Sequence, residues 1–173
     1  TAVQLSRGKG EAELLFQIAL LMQDLGRLAT DLILFYTQEF SFVELPDEFT
    51  TGSSIMPQKR NPDVFELIRG RTATAQACLV EALGITAKLS SGYHRDLQLI
   101  KVPLFRSIDL ATQTLELLPA ALGGVRFRPA RIRLDPSIHA AERAYALVVK
   151  EGIPFREAYR RVARELGADK AGS

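Results

Sequence analysis

The hydrophobic and polar positions of this chain follow the period of long helices. Residues 11–40 contain no proline and a single glycine, Gly26. Apolar residues recur there at alternating spacings of four and three: Leu14, Ile18, Leu21, Leu25, Leu28, Leu32 and Phe35. Such a spacing is typical of a helix that packs nearly parallel to other helices. Further apolar positions widen the stripe, so we expect more than one neighbouring helix: Leu15, Met22, Ala29 and Ile33.

Four further helices are predicted after an irregular stretch over 41–60. The second runs over 62–89 and would be about 40 Å long at ~1.5 Å per residue. The third helix is predicted between about 97 and 118, where the apolar residues fall on one side of a helix. Pro103 either kinks this helix or marks its first turn. Two short helices follow over 135–151 and 154–166, the first opened by a capping pair of residues, Asp135-Pro136, and closed by Gly152.

The fold class predicted from this order is all-α, with two parts. Residues 1–121 form a segment of a long-helix bundle that carries a loop at 50–62, and residues 122–173 form a small helical domain. Three long helices with broad apolar faces are difficult to cover in a chain of 173 residues. We therefore expect a bundle built from several subunits; the alternative is a monomeric bundle completed by the small domain.

Composition and charge limit the partners. Hydrophobic residues make up 47% of the chain and charged residues 24%, as in ordinary globular proteins. A net charge of +2 does not indicate nucleic-acid binding, and no uncharged apolar run reaches membrane-spanning length. No secretory leader is visible in the first ten residues, and Cys78 is the single cysteine. We therefore expect a cytoplasmic protein with no disulfide, no metal and no cofactor.

The candidate chemistry lies in one loop. It reads Gly52-Ser53-Ser54-Ile55-Met56-Pro57-Gln58-Lys59-Arg60-Asn61-Pro62. The final Asn-Pro pair predicts a helix start, with Asn61 as the cap. The loop thus brings a hydroxyl, an ammonium and an amide to a helix N-terminus, where unpaired N–H groups favour an anionic substrate.

The residue types of the loop suit proton removal next to a carboxylate. Such a step places negative charge on the carboxylate, and fixed cationic and N–H donors stabilise that charge. A serine becomes a credible base when the same kinds of donor stabilise its oxyanion, which we expect for Ser53 with Lys59 nearby. The G-x-S-x-G pattern of serine hydrolases is absent, because Ile55 and Met56 follow Ser54.

The loop resembles the signature loop of the fumarase/aspartase superfamily, Gly-Ser-Ser-x-Met-Pro-x-Lys-x-Asn followed by a helical Glu. The resemblance implies β-elimination that leaves fumarate, with Ser53 abstracting the proton and Lys59 and Asn61 binding and polarising the carboxylate. Glu66 would orient a histidine supplied from elsewhere. Ser54 and Met56 are the other loop residues expected at the substrate.

Segments on both sides of the loop resemble the argininosuccinate lyase family in particular. They are Thr37–Val43, Asn61–Gly70, Gly92–Lys101 and Gly152–Ala158. The resemblance implies that Tyr93, Gln98 and Lys101 bind argininosuccinate, and that active sites form where segments of three subunits meet in a homotetramer. His94 stands where that family usually has Asn. We read His139 as a structural or surface histidine.

Two motif regions of that family, one with the active-site histidine, are not found in this sequence. We therefore expect the chain to carry one of three motif regions and to be inactive alone. Two alternatives stay open: another superfamily member, such as adenylosuccinate lyase, and a non-catalytic assembly or structural module. We place no function in the divergent stretch Ser6-Arg7-Gly8-Lys9-Gly10.

Overall fold

The computed structural model describes residues 5–56 and 59–170, and the chain divides into two compact units, 1–131 and 132–173. In the first unit, helices α1 (Lys9–Tyr36), α2 (Asp63–Thr86) and α3 (Lys101–Gly123) pack together. Short strands flank them, namely β1 (Val43–Glu44), β2 (Thr51–Gly52), β3 (Arg60–Asn61) and β4 (Arg126–Phe127). The predicted all-α class is confirmed.

Three apolar clusters follow one another along the packed helices of the first unit. One end contains Ala29, Leu32, Phe65, Ile68, Leu118 and Ala121. The middle contains Ile18, Met22, Ala75 and Ala111, and the other end contains Leu15, Cys78, Ala82, Leu97 and Ile100. Each helix contributes at spacings of three, four or seven, so one stripe per helix forms a continuous core.

Helices α1 and α2 approach closely at Gly26. A Cβ atom at this position would lie 2.4 Å from the Thr72 hydroxyl oxygen, so a side chain there would force the helices apart. The Thr72 hydroxyl donates a hydrogen bond to the Met22 carbonyl at 3.1 Å. The one glycine of the long apolar stretch is therefore a packing residue.

The predicted seam of α1 is divided between a covered and an uncovered face. Ile18 and Leu32 are buried as expected. Leu14, Leu21 and Leu28 are instead 38–45% exposed, and their places in the core are taken by residues from the wider stripe. These are Leu15, Met22 and Ala29. The single chain covers only part of the apolar surface that the sequence predicts to be packed.

Several predicted helix ends were wrong by a few residues. Helix α1 stops at Tyr36, four residues before the end of the proline-free stretch 11–40. Helix α2 is preceded by Pro62, whose carbonyl accepts from the N–H groups of Phe65 and Glu66 at 3.0 and 3.1 Å, so Asn61 is not its cap. Helix α3 continues through Pro119 to Gly123. Its first residue is Lys101, which confirms that Pro103 lies in the first turn.

The second unit is a helical hairpin of α4 (Ala140–Glu151) and α5 (Phe155–Lys170), with Ala144, Ala158 and Val162 in its core. The Asp135 carboxylate accepts from the Ser137 N–H at 2.8 Å before a 3₁₀ turn, and Gly152 ends α4 with φ of 69°. Both predicted signals are confirmed. The compact units divide ten residues after the predicted boundary at 122, because β4 pairs with β1. Among the described residues, no helix is long and apolar enough to cross a bilayer.

Candidate active site

The signature loop stands on a short hairpin stem. Strands β2 and β3 pair antiparallel, with Thr51 opposite Asn61 and Gly52 opposite Arg60. The Thr51 hydroxyl donates to the Asp63 carboxylate at 2.5 Å, which ties the stem to the first turn of α2. The backbone of Asn61 thus belongs to the strand pair, a long-range arrangement that the local cap signal did not reveal.

Backbone donors converge on the candidate base. The Ser53 hydroxyl oxygen accepts from the N–H groups of Ile55 and Met56 at 3.3 and 3.2 Å. Donors of this kind favour the deprotonated form of the group that they contact. One of the two stabilising features expected for a serine base is therefore present around Ser53. Its catalytic role stays a prediction.

A cleft of about 840 Å³ lies beside the loop. Four of the predicted site residues line it: Met56, Lys59, Asn61 and Glu66. Ser53 and Ser54 are not among the lining residues. The cleft combines an ammonium, an amide and a carboxylate, as an anionic substrate and its proton transfers require.

The cleft also has lining residues that the sequence analysis did not assign. Gln38 and Ser41 belong to the segment between α1 and β1, where the family resemblance was noted without roles. Arg128 reaches the cleft because β4 pairs with β1, and its N–H donates to the Phe42 carbonyl at 2.8 Å. In the sequence, Arg128 lies in a stretch where Arg alternates with apolar residues and proline, a pattern that does not indicate a binding role.

Two arginines that line the cleft are paired with carboxylates. The Arg128 guanidinium forms an ion pair with Glu44, and Arg60 lies 3.6 Å from the Asp47 carboxylate. Partial burial raises the pKa of Tyr36 above its usual value, against the opposing effect of Arg60. The Tyr36 phenol, which lines the cleft, is therefore neutral at physiological pH.

The predicted substrate segment forms a second polar cluster. A 3₁₀ helix over Arg95–Ile100 leads into α3, so Gln98 and Lys101 lie one turn apart on the same side. The Gln98 amide donates to the Tyr93 hydroxyl at 3.3 Å. Leu97 and Ile100 are buried in the apolar cluster below.

The two clusters lie at opposite ends of α2. The loop precedes Asp63 and the substrate segment follows Thr86, and the 24 residues between them form one helix. At ~1.5 Å per residue the helix spans about 36 Å. The structure therefore brings Met56, Lys59, Asn61 and Glu66 together, and separately Tyr93 and Gln98, but it does not unite these groups within one chain.

Neither histidine lines the cleft. The His94 imidazole Nε2 lies 2.8 Å from the Ser90 carbonyl oxygen, in the substrate segment. His139 Nδ1 lies 3.3 Å from the Glu142 carboxylate in the second unit, where its side chain is 58% exposed. In the described part of the chain, no three His, Cys, Asp or Glu side chains are grouped as metal ligands would be.

The fold defines the class of protein. The sequence model of a lyase family matches residues 3–77. The chain superposes on EDDS lyase in complex with formate with a TM-score of 0.74 and 28% identity, over 93% of this chain and 33% of that one. It also shares its fold with the class II fumarase of Schistosoma mansoni, with a TM-score of 0.71 and 18% identity over 92% and 37%. The resemblance to the fumarase/aspartase superfamily is thereby confirmed.

Within this class, argininosuccinate lyases are among the curated relatives that resemble the chain. That of Sorangium cellulosum is 50% identical over 99% of this chain and 40% of its own length. That of Xylella fastidiosa is 46% identical over 93% of this chain and 36% of its own length. These identities confirm the similarity to argininosuccinate lyases that the loop and its neighbours indicated. The chain spans about 40% of the length of these relatives.

Proposed function

We propose that this chain is the part of an argininosuccinate lyase that supplies the serine loop, in an enzyme that splits argininosuccinate into arginine and fumarate. The observation that carries the proposal is the loop itself. Its Ser53 oxygen receives two backbone N–H donors, and its Lys59 and Asn61 line an adjoining cleft suited to an anion. The sequence similarity to argininosuccinate lyases supports the choice of substrate.

The proposed reaction removes a proton and then an amine from the succinyl group. Ser53 takes the proton from the carbon next to a carboxylate, and Lys59 and Asn61 stabilise the enediolate that forms. Collapse of the enediolate makes the carbon–carbon double bond of fumarate and breaks the carbon–nitrogen bond. The electron pair stays on the guanidino nitrogen, which is protonated by an acid from outside this chain. Glu66 orients the histidine that takes part in this proton transfer.

Assembly follows from the separation of the two clusters. Because helix α2, which spans about 36 Å, separates the two clusters in one chain, we expect a site that uses both to combine different chains. The uncovered face of α1, with Leu14, Leu21 and Leu28, offers apolar surface for such association. We propose a homotetramer in the cytoplasm, where the buried Cys78 thiol stays reduced. The isolated chain lacks a histidine at its cleft, and we propose that it is inactive alone.

A complementation experiment tests the proposal. The chain is refolded together with the full-length Sorangium cellulosum relative in which the residue aligned with Ser53 is replaced by alanine. Fumarate release from argininosuccinate is followed by ultraviolet absorbance. Neither component alone should release fumarate, whereas mixed oligomers should, because this chain supplies the missing serine. The same mixture with Ser53→Ala in the chain should be slower by about 10²–10⁴-fold, the usual contribution of a general base.

Three other outcomes would contradict parts of this proposal. Mixed oligomers that form but stay inactive would show that the loop does not supply the base. Release of fumarate from adenylosuccinate in preference to argininosuccinate would replace the substrate. Turnover by this chain alone, abolished in Ser53→Ala, would show that the site is complete here and that His94 or His139 serves as the histidine.

A further inference from the structure

The residues before α1 lie against the predicted substrate segment. The Arg7 guanidinium carbon is 5.4 Å from the centroid of the Tyr93 ring, within the range of a cation–π contact. The Tyr93 side chain is 52% exposed, so this contact lies at the surface and open to a ligand. The sequence analysis assigned no function to this stretch, because local pattern does not show which distant segment it meets.

Gly8 allows this approach. A Cβ atom at Gly8 would lie 2.4 Å from a methyl carbon of Thr86 and 3.2 Å from Ile100, so the backbone crosses the end of α2 at close range. Its φ of 86° is in the left-handed region, which favours glycine. The Gly8 N–H also donates to the Glu11 carboxylate at 3.0 Å, which fixes the turn. The close approach at Gly8 and its hydrogen bond to Glu11 therefore fix the backbone next to Arg7.

The cluster around Arg7 has the chemistry of a carboxylate site. A guanidinium in a cation–π contact with a ring can still donate N–H groups, and their planar arrangement matches a carboxylate. Arg7 has no carboxylate partner among the described residues. The hydroxyl of Tyr93, the ring that Arg7 contacts, accepts from the Gln98 amide, and the exposed Lys101 begins the next turn.

We infer that Arg7 is a further binding residue, which completes a carboxylate-recognition site with Tyr93, Gln98 and Lys101. The cation–π contact with Tyr93 holds the guanidinium at this place, and the guanidinium pairs with one carboxylate of a dicarboxylate ligand. The inference rests on the proposed function only for the identity of that ligand, the succinyl part of argininosuccinate. Binding of a dicarboxylate to this cluster can be measured without any turnover.

The test uses the whole chain labelled with 3-fluorotyrosine and titrated with succinate. The chain has four tyrosines, so Tyr93→Phe identifies the Tyr93 resonance in ¹⁹F spectra. Succinate should shift this resonance saturably, and the neutral diamide of succinic acid should not. Arg7→Met keeps a long side chain on the ring but removes the charge, and should weaken succinate binding roughly fivefold, as for one exposed charged contact. Arg7→Lys should weaken it less, because the charge remains while the planar fork is lost.

Arg27→Gln is the matched control. It removes one positive charge from α1, where Arg27 is paired with Asp24 at 3.8 Å, about 30 Å along the helix from Arg7. It should leave the affinity unchanged, because that distance exceeds the screening length of ~10 Å. Absence of a saturable shift, or equal affinity of Arg7→Met and the parent chain, would overturn the inference. Failed complementation with intact succinate binding would instead count against the proposed reaction.

Discussion

At the two ends of the first unit, the stem of the loop and the 3₁₀ helix before α3 are held by different kinds of interaction. At the loop end, the stem is held by polar contacts: the β2–β3 pair, the Thr51–Asp63 hydrogen bond and the Arg60–Asp47 ion pair. At the Tyr93 end, the 3₁₀ helix is anchored by Leu97 and Ile100, which are 7% and 3% exposed in an apolar cluster.

The difference bears on what each end can do. Exposed polar contacts each contribute little to stability, so the loop can rearrange at small cost, and its Ile55 side chain is 86% exposed. Apolar burial ties the Tyr93 end to the folding of the whole unit. The proposed base on an adjustable loop and the proposed ligand cluster on a firmly packed turn would thus be suited to proton removal and to binding, respectively.

Removing the apolar anchor gives the largest expected effect. Ile100→Ala should lower the free energy of unfolding by about 2–5 kcal/mol, because it leaves a cavity in a packed cluster. Urea denaturation followed by circular dichroism measures this loss. The control is Leu99→Ala, since Leu99 is 60% exposed and its truncation should change stability by no more than about 0.5 kcal/mol. Equal losses in the two variants would mean that burial does not hold this end.

A charge on the uncovered face of α1 tests whether chains associate through this face, as is needed to bring the loop end of one chain to the Tyr93 end of another. Leu28 is 38% exposed in the single chain, so Leu28→Asp should leave the fold intact. In an oligomer it would bury an unpaired charge, and association should weaken at least about tenfold. Light scattering measures the size, and Leu21→Asp should act alike. Leu32→Asp, at a position 5% exposed, should unfold the chain instead. A folded Leu28→Asp chain with unchanged association would refute the assembly proposed above.

The sequence predicted the helices and helix ends that depend on short-range patterns. It did not predict the contacts that depend on pairing between distant segments. The three long helices, the Asp135 cap and the Gly152 stop follow from periodicity and local chemistry, and all are present. The division of the α1 seam was not predictable, because spacing alone does not say which of two adjacent apolar rows meets α2.

The positions that the sequence did not predict near the candidate sites share one physical cause. Arg128 reaches the cleft through pairing of β4 with β1, whose partners are more than eighty residues apart in sequence. Arg7 contacts Tyr93 because the backbone at Gly8 passes close to the end of α2, and this approach exists only once the helices are packed. Asn61 looked like a helix cap by its local sequence, but pairing with Thr51 competes for its backbone, and the tertiary arrangement overrides the local preference.

The smallest expected effect comes from loosening the stem. Thr51→Val keeps the side-chain shape but removes the hydroxyl that contacts Asp63, and it should lower stability by about 1 kcal/mol, as for one hydrogen bond. Thr51→Ser keeps the hydroxyl and should restore most of this loss. In a double-mutant cycle, Asp63→Ala should cost little more once Thr51 is Val, since the two residues share one interaction. Hydrogen exchange of the stem amides should accelerate while that of the Ile100 end stays unchanged. If both ends exchanged faster together, the unit would open as a whole, and the contrast between a polar and an apolar anchor would be lost.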